Sequence, residues 1–118
     1  MTDIPLVLKV RFFRTEAGNE PVREWLAGIP RDHKRMIGTE IKTVQIGWPI
    51  GMPVVRKLEK GLWEVRVNLV DTIARVLFTV DGSVMVLLHG FIKKSQKTPA
   101  SDLETARQRK ATLERNKQ

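Results

Sequence analysis

Cysteine is absent from this 118-residue chain, which excludes disulfides, thiolate metal sites and cysteine nucleophiles together. No long apolar run is present either. The longest, Val84 to Leu88 with its flanks, is far too short to cross a bilayer, and Met1-Thr2-Asp3 opens without the basic and apolar regions of a secretory leader. These absences lead us to expect a soluble, unexported, cytoplasmic protein with no membrane partner. The chain also lacks a Ser-His-Asp or Cys-His set, a glycine-rich phosphate loop, a metal-ligand spacing and a pair of carboxylates in a plausible pocket. Neither a metal nor a cofactor is therefore expected.

What the chain does have is positive charge. With 21 Lys and Arg against 13 Asp and Glu, the net charge is +8 and the isoelectric point near 10.3. Such a field attracts polyanions, of which nucleic acid is the commonest inside cells. Hydrophobic residues at 42% and charged residues at 29% place the chain in the globular class. Its length suits one domain over residues 1–118, able to bury about two-thirds of the surface its unfolded form exposes. No repeat or linker divides it.

Leu6 to Arg14 has the β-branched and aromatic content of a strand, and Gly18-Asn19 marks a turn. Asn19 can cap a helix with Pro21 in its first turn, and Val22, Trp25, Leu26 and Ile29 fall at helical spacing. A second helix starts near Arg31 or Asp32, with Ile37, Ile41 and Val44 as its stripe and Gly47 as its end. Trp48 to Val55 then reads as a rigid loop containing two prolines. Three strands follow, at 62–69, 72–80 and 83–92. Thr98-Pro99 or the capping box Ser101-x-x-Glu104 opens a last helix, with Leu103, Ala106 and Leu113 as a thin stripe. The expected fold is α+β, of order β-α-α-β-β-β-α. Its antiparallel sheet carries two N-terminal helices on one face, the first strand at one edge, and a C-terminal helix over the other face.

Trp63, Val65, Val67 and Leu69 alternate with Glu64, Arg66 and Asn68, so Arg66 lies on the polar face of its strand. A two-residue connection at Val70-Asp71 sets Leu69 opposite Thr72 and Arg66 directly opposite Arg75. Like charges directly opposite are destabilising, which makes sense of the pair if an anion sits between them. The plainer reading is two solvated arginines, one paired with Glu64 or Asp71. Asp81-Gly82 reads as a type I′ turn pairing Val80 with Ser83. That register puts Ala74, Val76 and Phe78 on one face with His89, Leu87 and Met85, under the two early helices. Arg75 shares the other face with Leu88, Val86 and Val84.

The chemistry on offer is cationic. Arginine grips phosphate bidentately and lysine supplies a mobile charge, a combination suited to cleaving RNA without metal through attack of the 2′-hydroxyl on the adjacent phosphorus. Arg66 and Arg75 would hold the scissile phosphate and stabilise the transition state. Two of Lys57, Lys93, Lys94 and Lys97 would serve as base and acid. Histidine ordinarily titrates near neutrality, but His89 ends a hydrophobic strand and reads as structural, and His33 reads as exposed. Trp63 and Trp25 fit the core, and Trp48 is either core or a stacking platform for a base.

The runs GLWEVRV, IARVLF and VLLHGFIKKSQKTP followed by a helix closely resemble the phage-derived branch of the RelE/HigB/ParE toxin superfamily, over roughly residues 6 to 113. The resemblance implies a RelE-like fold and the toxin of a type II toxin-antitoxin pair that cleaves mRNA on the ribosome. Its partners would be the ribosome, mRNA and a small antitoxin of the helix-turn-helix type. It assigns the catalytic site to Arg66, Arg75, Lys93, Lys94 and Lys97. Lys57 and Lys60 resemble the basic residues before the strand meander in ribosome-dependent members, and with Arg107 and Lys110 they complete a candidate RNA- and ribosome-binding set. One departure stands out: some relatives use a tyrosine near the last strand, and this chain has none. A ParE-like toxin that binds DNA gyrase without chemistry, or a plain nucleic-acid-binding module, therefore remains an alternative.

Overall fold

A computed structural model of the chain describes residues 5–117; Met1-Thr2-Asp3, where no secretory leader was expected, lie outside them. The elements run β1 (Lys9–Phe12), α1 (Pro21–Ala27), α2 (Arg31–Gly47), β2 (Val55–Glu59), β3 (Leu62–Asn68), β4 (Ile73–Asp81), β5 (Val84–Lys93) and α3 (Ala100–Arg115). They form one α+β domain whose five strands lie in the order β1-β5-β4-β3-β2. None of the helices is long and apolar enough to cross a membrane.

Two features correct the expected architecture. The sheet is mixed, because β1 pairs with β5 in parallel, Lys9 opposite Val84 through Phe12 opposite Leu87. The chain returns from β1 through two helices on one face before the meander begins, and this crossover lays the first strand alongside the last in the same direction. The second correction is β2, an extra strand where the sequence suggested a loop followed by cations. Val55 pairs with Val65 and Arg56 with Glu64, and the exposed Arg56 and Lys57 suit a strand at an open edge, where charges discourage pairing with another chain.

The sheet separates two cores. On one face Val22 of α1 and Ile37, Ile41 and Val44 of α2 pack on Val65, Val67, Ala74, Val76, Phe78 and Leu87, as the helical stripes predict. On the other, Leu103, Ala106 and Leu113 of α3 cover Leu62, Leu77, Val86, Leu88 and Phe91. Trp48 belongs to the first core, with its ring centroid 5.0 Å from that of Trp63 and 5.7 Å from that of Phe78. It is not a free platform for a base. One helix start differs from expectation: Asn19 does not cap α1, which starts after Glu20 without a side-chain cap bond. Of the two starts expected for the last helix, Thr98-Pro99 is the one used; α3 begins after Pro99, and Ser101 lies inside the helix. His33 is half-buried rather than exposed.

The β4–β5 hairpin departs from the expected register in two steps. Asp81 pairs with Val84, so the turn is Gly82-Ser83, with Gly82 at φ +62°, a conformation that favours glycine. This shift alone leaves every side chain on its expected face. Between Phe78 opposite Leu87 and Leu77 opposite His89, however, β5 carries one extra residue, Leu88. A one-residue bulge exchanges the faces beyond it. His89 consequently lies on the α3 face, not under α1 and α2 as its alternation suggested, and Gly90 takes the inner position.

Gly90 is required there by packing. A Cβ built on it would lie 2.4 Å from two ring carbons of Trp25, which is how α1 approaches β5 so closely. Gly90→Ala is expected to lower stability by about 1–3 kcal/mol through overpacking, read as a lower urea midpoint with unchanged slope. An unchanged midpoint would mean that α1 can shift without cost.

Candidate functional site

Alternation along β3 directs Glu64 and Arg66 to the α3 side of the sheet, and the β3–β4 register sets Arg66 opposite Arg75. The tight connection that fixes this pairing is closed by the Leu69 N–H donating to the Thr72 carbonyl at 2.9 Å. An anion beside Arg66 is supplied by the chain itself. Glu64 is 0% exposed, with Oε1 3.4 Å from Arg66 Nη1, and its Oε2 accepts from the Thr98 hydroxyl at 2.6 Å. Two positions along one strand place side chains on one face, so this carboxylate reaches Arg66 along its own strand.

Both arginines are engaged by the segment 94–99 between β5 and α3. Arg66 donates through Nη1 to the Gln96 carbonyl at 3.2 Å and through Nη2 to Gln96 Oε1 at 2.7 Å. Arg75, 0% exposed, donates through Nη1 to the Lys97 carbonyl at 2.8 Å. Its Nε and Nη2 have no hydrogen-bond acceptor among the described residues. Burial holds the Arg75 guanidinium below its usual range; Glu64 opposes that effect, and Arg66 and Arg56 add to it. The Arg75 guanidinium also sits 5.7 Å from the centre of the Phe91 ring.

Beyond Phe91 lies a second cluster that sequence reasoning missed. His89 Nε2 is 2.7 Å from Asp102 Oδ1, and its ring stacks on Phe91 at 5.6 Å. Arg109, whose guanidinium is pushed down by burial, donates to the Leu88 carbonyl at 2.8 Å and lies 3.3 Å from His89 Nδ1. An imidazole protonated on Nε2 alone satisfies both contacts, donating to Asp102 and accepting from Arg109. Both ring nitrogens are thus spent joining α3 to the sheet. Lys93 Nζ is 3.2 Å from Asp102 Oδ2 but off the line of a hydrogen bond, so this is a charge contact.

Of the sequence-predicted residues, Arg66, Arg75, Lys93 and the segment bearing Lys94 and Lys97 come together at one end of the sheet. Lys94 and Lys97 are exposed, with no ion pair among the described residues. The other predicted residues are elsewhere. Lys57 borders a cleft with Trp48 and Trp63 on the opposite face, and Lys60 is in the β2–β3 turn. Arg107 clasps Glu59, with Nε at 3.0 and 3.1 Å and Nη2 at 2.7 Å. That hydrogen bond, more than the accompanying charge attraction, holds the Glu59 carboxyl below the usual carboxylate range. Lys110 pairs with Glu114 at 2.8 Å. Arg107 and Lys110 are therefore neutralised within the chain.

The family model for the phage-derived Gp49-like protein matches residues 24–111, a span that includes α2, the meander, both arginines and most of α3. The chain belongs to the Gp49-like family. This is a toxin-like family of the RelE/HigB type, and membership is consistent with a toxin of a toxin-antitoxin pair. No match is found among curated proteins. In this Gp49-like chain no group of three or more His, Cys, Asp or Glu side chains is placed to hold a metal ion among the described residues. Glu64 was legible in the plainer reading of the sequence as a carboxylate paired with one of the arginines, through its i, i+2 relation to Arg66. The groups missed are Gln96 and Thr98, which act through a segment whose path no pattern specifies.

Proposed function

We propose that the chain is the toxin of a type II toxin-antitoxin pair and cleaves mRNA on the ribosome, in the cytoplasm, restrained by a small antitoxin of the helix-turn-helix type. The observation that carries this reading is the direct pairing of Arg66 with Arg75 beside the lysine-bearing segment 93–97. Family membership adds to it. The reaction is a transesterification without metal. The ribose 2′-oxygen bonds to the adjacent phosphorus as the bond to the 5′-oxygen breaks; a base removes the 2′-hydroxyl proton, and an acid protonates the departing 5′-oxygen. The two guanidinium groups stabilise the charge that builds on the phosphate oxygens, and exposed Lys94 and Lys97 are the proton carriers with freedom to move.

One observation favours a second reading. Arg75 is fully buried and Arg66 already bonded to Gln96, as suits a ParE-like toxin that binds DNA gyrase without chemistry. A plain nucleic-acid-binding module accounts for the net charge but not for its concentration at one sheet end. Primer extension on transcripts from cells induced to express the chain decides the matter. Discrete cuts within translated frames are expected, and intact transcripts with accumulating DNA breaks would transfer the assignment to gyrase.

A further inference from the structure

The Nε and Nη2 atoms of an arginine form the flat edge that grips an oxyanion with two parallel hydrogen bonds. This chain uses that edge on the surface, where Arg107 grips both carboxylate oxygens of Glu59. In Arg75 the same edge is buried and has no acceptor among the described residues. Orphaned buried donors are rare in native proteins and costly to keep. An edge built for a bidentate oxyanion and kept without one points to a ligand.

The segment 94–99 holds the same guanidinium at its other nitrogen, Nη1, and its contacts have the chemistry of a bound nucleotide. The Gln96 carbonyl, Gln96 Oε1 and the Lys97 carbonyl accept from the two guanidinium groups, as phosphate oxygens would. The Thr98 hydroxyl donates to the Glu64 carboxylate, as a ribose hydroxyl would. The hold is polar, and the segment borders an open hollow of 460 Å³ lined by Ser95, Lys97, Thr98 and Leu103, which gives it room to move.

We propose that residues 94–99 form a strap that mimics an RNA backbone, so that the free chain is closed and a phosphodiester seats on the Nε/Nη2 edge of Arg75 only when the strap lifts. This rests on the nuclease reading, because it takes Arg66 and Arg75 as the phosphate site. A closed strap lowers apparent affinity by the fraction of molecules that are open, and loosening it raises affinity without adding a contact to the ligand.

The test uses the full-length chain and a 2′-O-methylated RNA trinucleotide, which cannot be cleaved by 2′-hydroxyl attack. Thr98→Val removes the bond to Glu64 at nearly constant shape. Gln96→Ala removes a bond to Arg66 at an exposed position, where folding is not at stake. Each is expected to bind the trinucleotide about tenfold more tightly than the unchanged chain by calorimetry, and Arg75→Lys, lacking the flat edge, to abolish the gain. Bound trinucleotide should also accelerate hydrogen exchange at amides 95–98. If both variants bind as the unchanged chain does while Arg66 and Arg75 remain necessary, the strap is overturned and the nuclease reading stands. Binding indifferent to both arginines, or absent from every form, overturns the two together.

Discussion

Arg66→Ala is expected to restore growth to cells expressing the chain and to slow transcript cleavage about 100- to 1000-fold, the usual loss when one donor to a developing oxyanion is removed. Arg66 is suited to a clean experiment. Its side chain, 10% exposed, is held on the α3 side of the sheet by Glu64 and Gln96. Its partners survive its removal: Glu64 keeps the Thr98 hydroxyl, and Gln96 is exposed and can turn to water. The thermal midpoint should therefore move little while cleavage falls. Arg75→Ala should abolish cleavage too, but it also empties a fully buried site, so its loss of function carries a change in stability. Full toxicity retained in both variants, with both folded, would rule out the proposed site. Loss of stability in Arg66→Ala matching its loss of toxicity would identify a framework residue.

The legible parts of the fold are those governed by local rules. Ile37, Ile41 and Val44 lie at helical spacing and are buried in α2, and a two-residue connection fixes the Arg66–Arg75 pairing however the rest of the chain folds. The parts that could not be read depend on relations between distant segments. β2 looked like a loop because an edge strand carries charge that a central strand excludes. The direction of β1 follows from where two helices return the chain, which no four-residue pattern encodes. His89 was assigned to the wrong face because alternation assumes an unbroken ladder, and the extra Leu88 breaks it. The candidate site divides in the same way. Its charged residues were visible on β3 and β4, but the strap's carbonyls belong to the backbone and acquire their role only from the path between β5 and α3. Of the two expectations for the arginine pair, an external anion or pairing with a carboxylate of the chain, the second is met at Arg66, where Glu64 stands inside the chain.

The presence of that carboxylate inside the chain has a large energetic consequence. Glu64→Ala is expected to cost about 3–5 kcal/mol of folding stability, the scale on which a buried charge loses its partner. Glu64 and Arg75 are both 0% exposed, and Glu64 is the leading influence opposing the burial of Arg75. Without Glu64, the chain would hold a guanidinium away from water with one hydrogen bond, from Nη1 to Lys97, and a second arginine nearby. A cavity alone would give a different pattern, and a double variant separates the two causes. Arg75→Met keeps an unbranched stem and removes the charge, so Glu64→Ala combined with Arg75→Met should recover most of the lost stability, since an apolar replacement of a buried pair is often neutral. Urea denaturation of the single and double variants measures the coupling. If Glu64→Ala costs less than about 1 kcal/mol, or the double variant is no more stable than the single, Glu64 does not balance Arg75 and the pair is satisfied by water instead. If the coupling is large, the arginines are kept facing each other by an internal carboxylate until an RNA phosphate replaces the strap beside it.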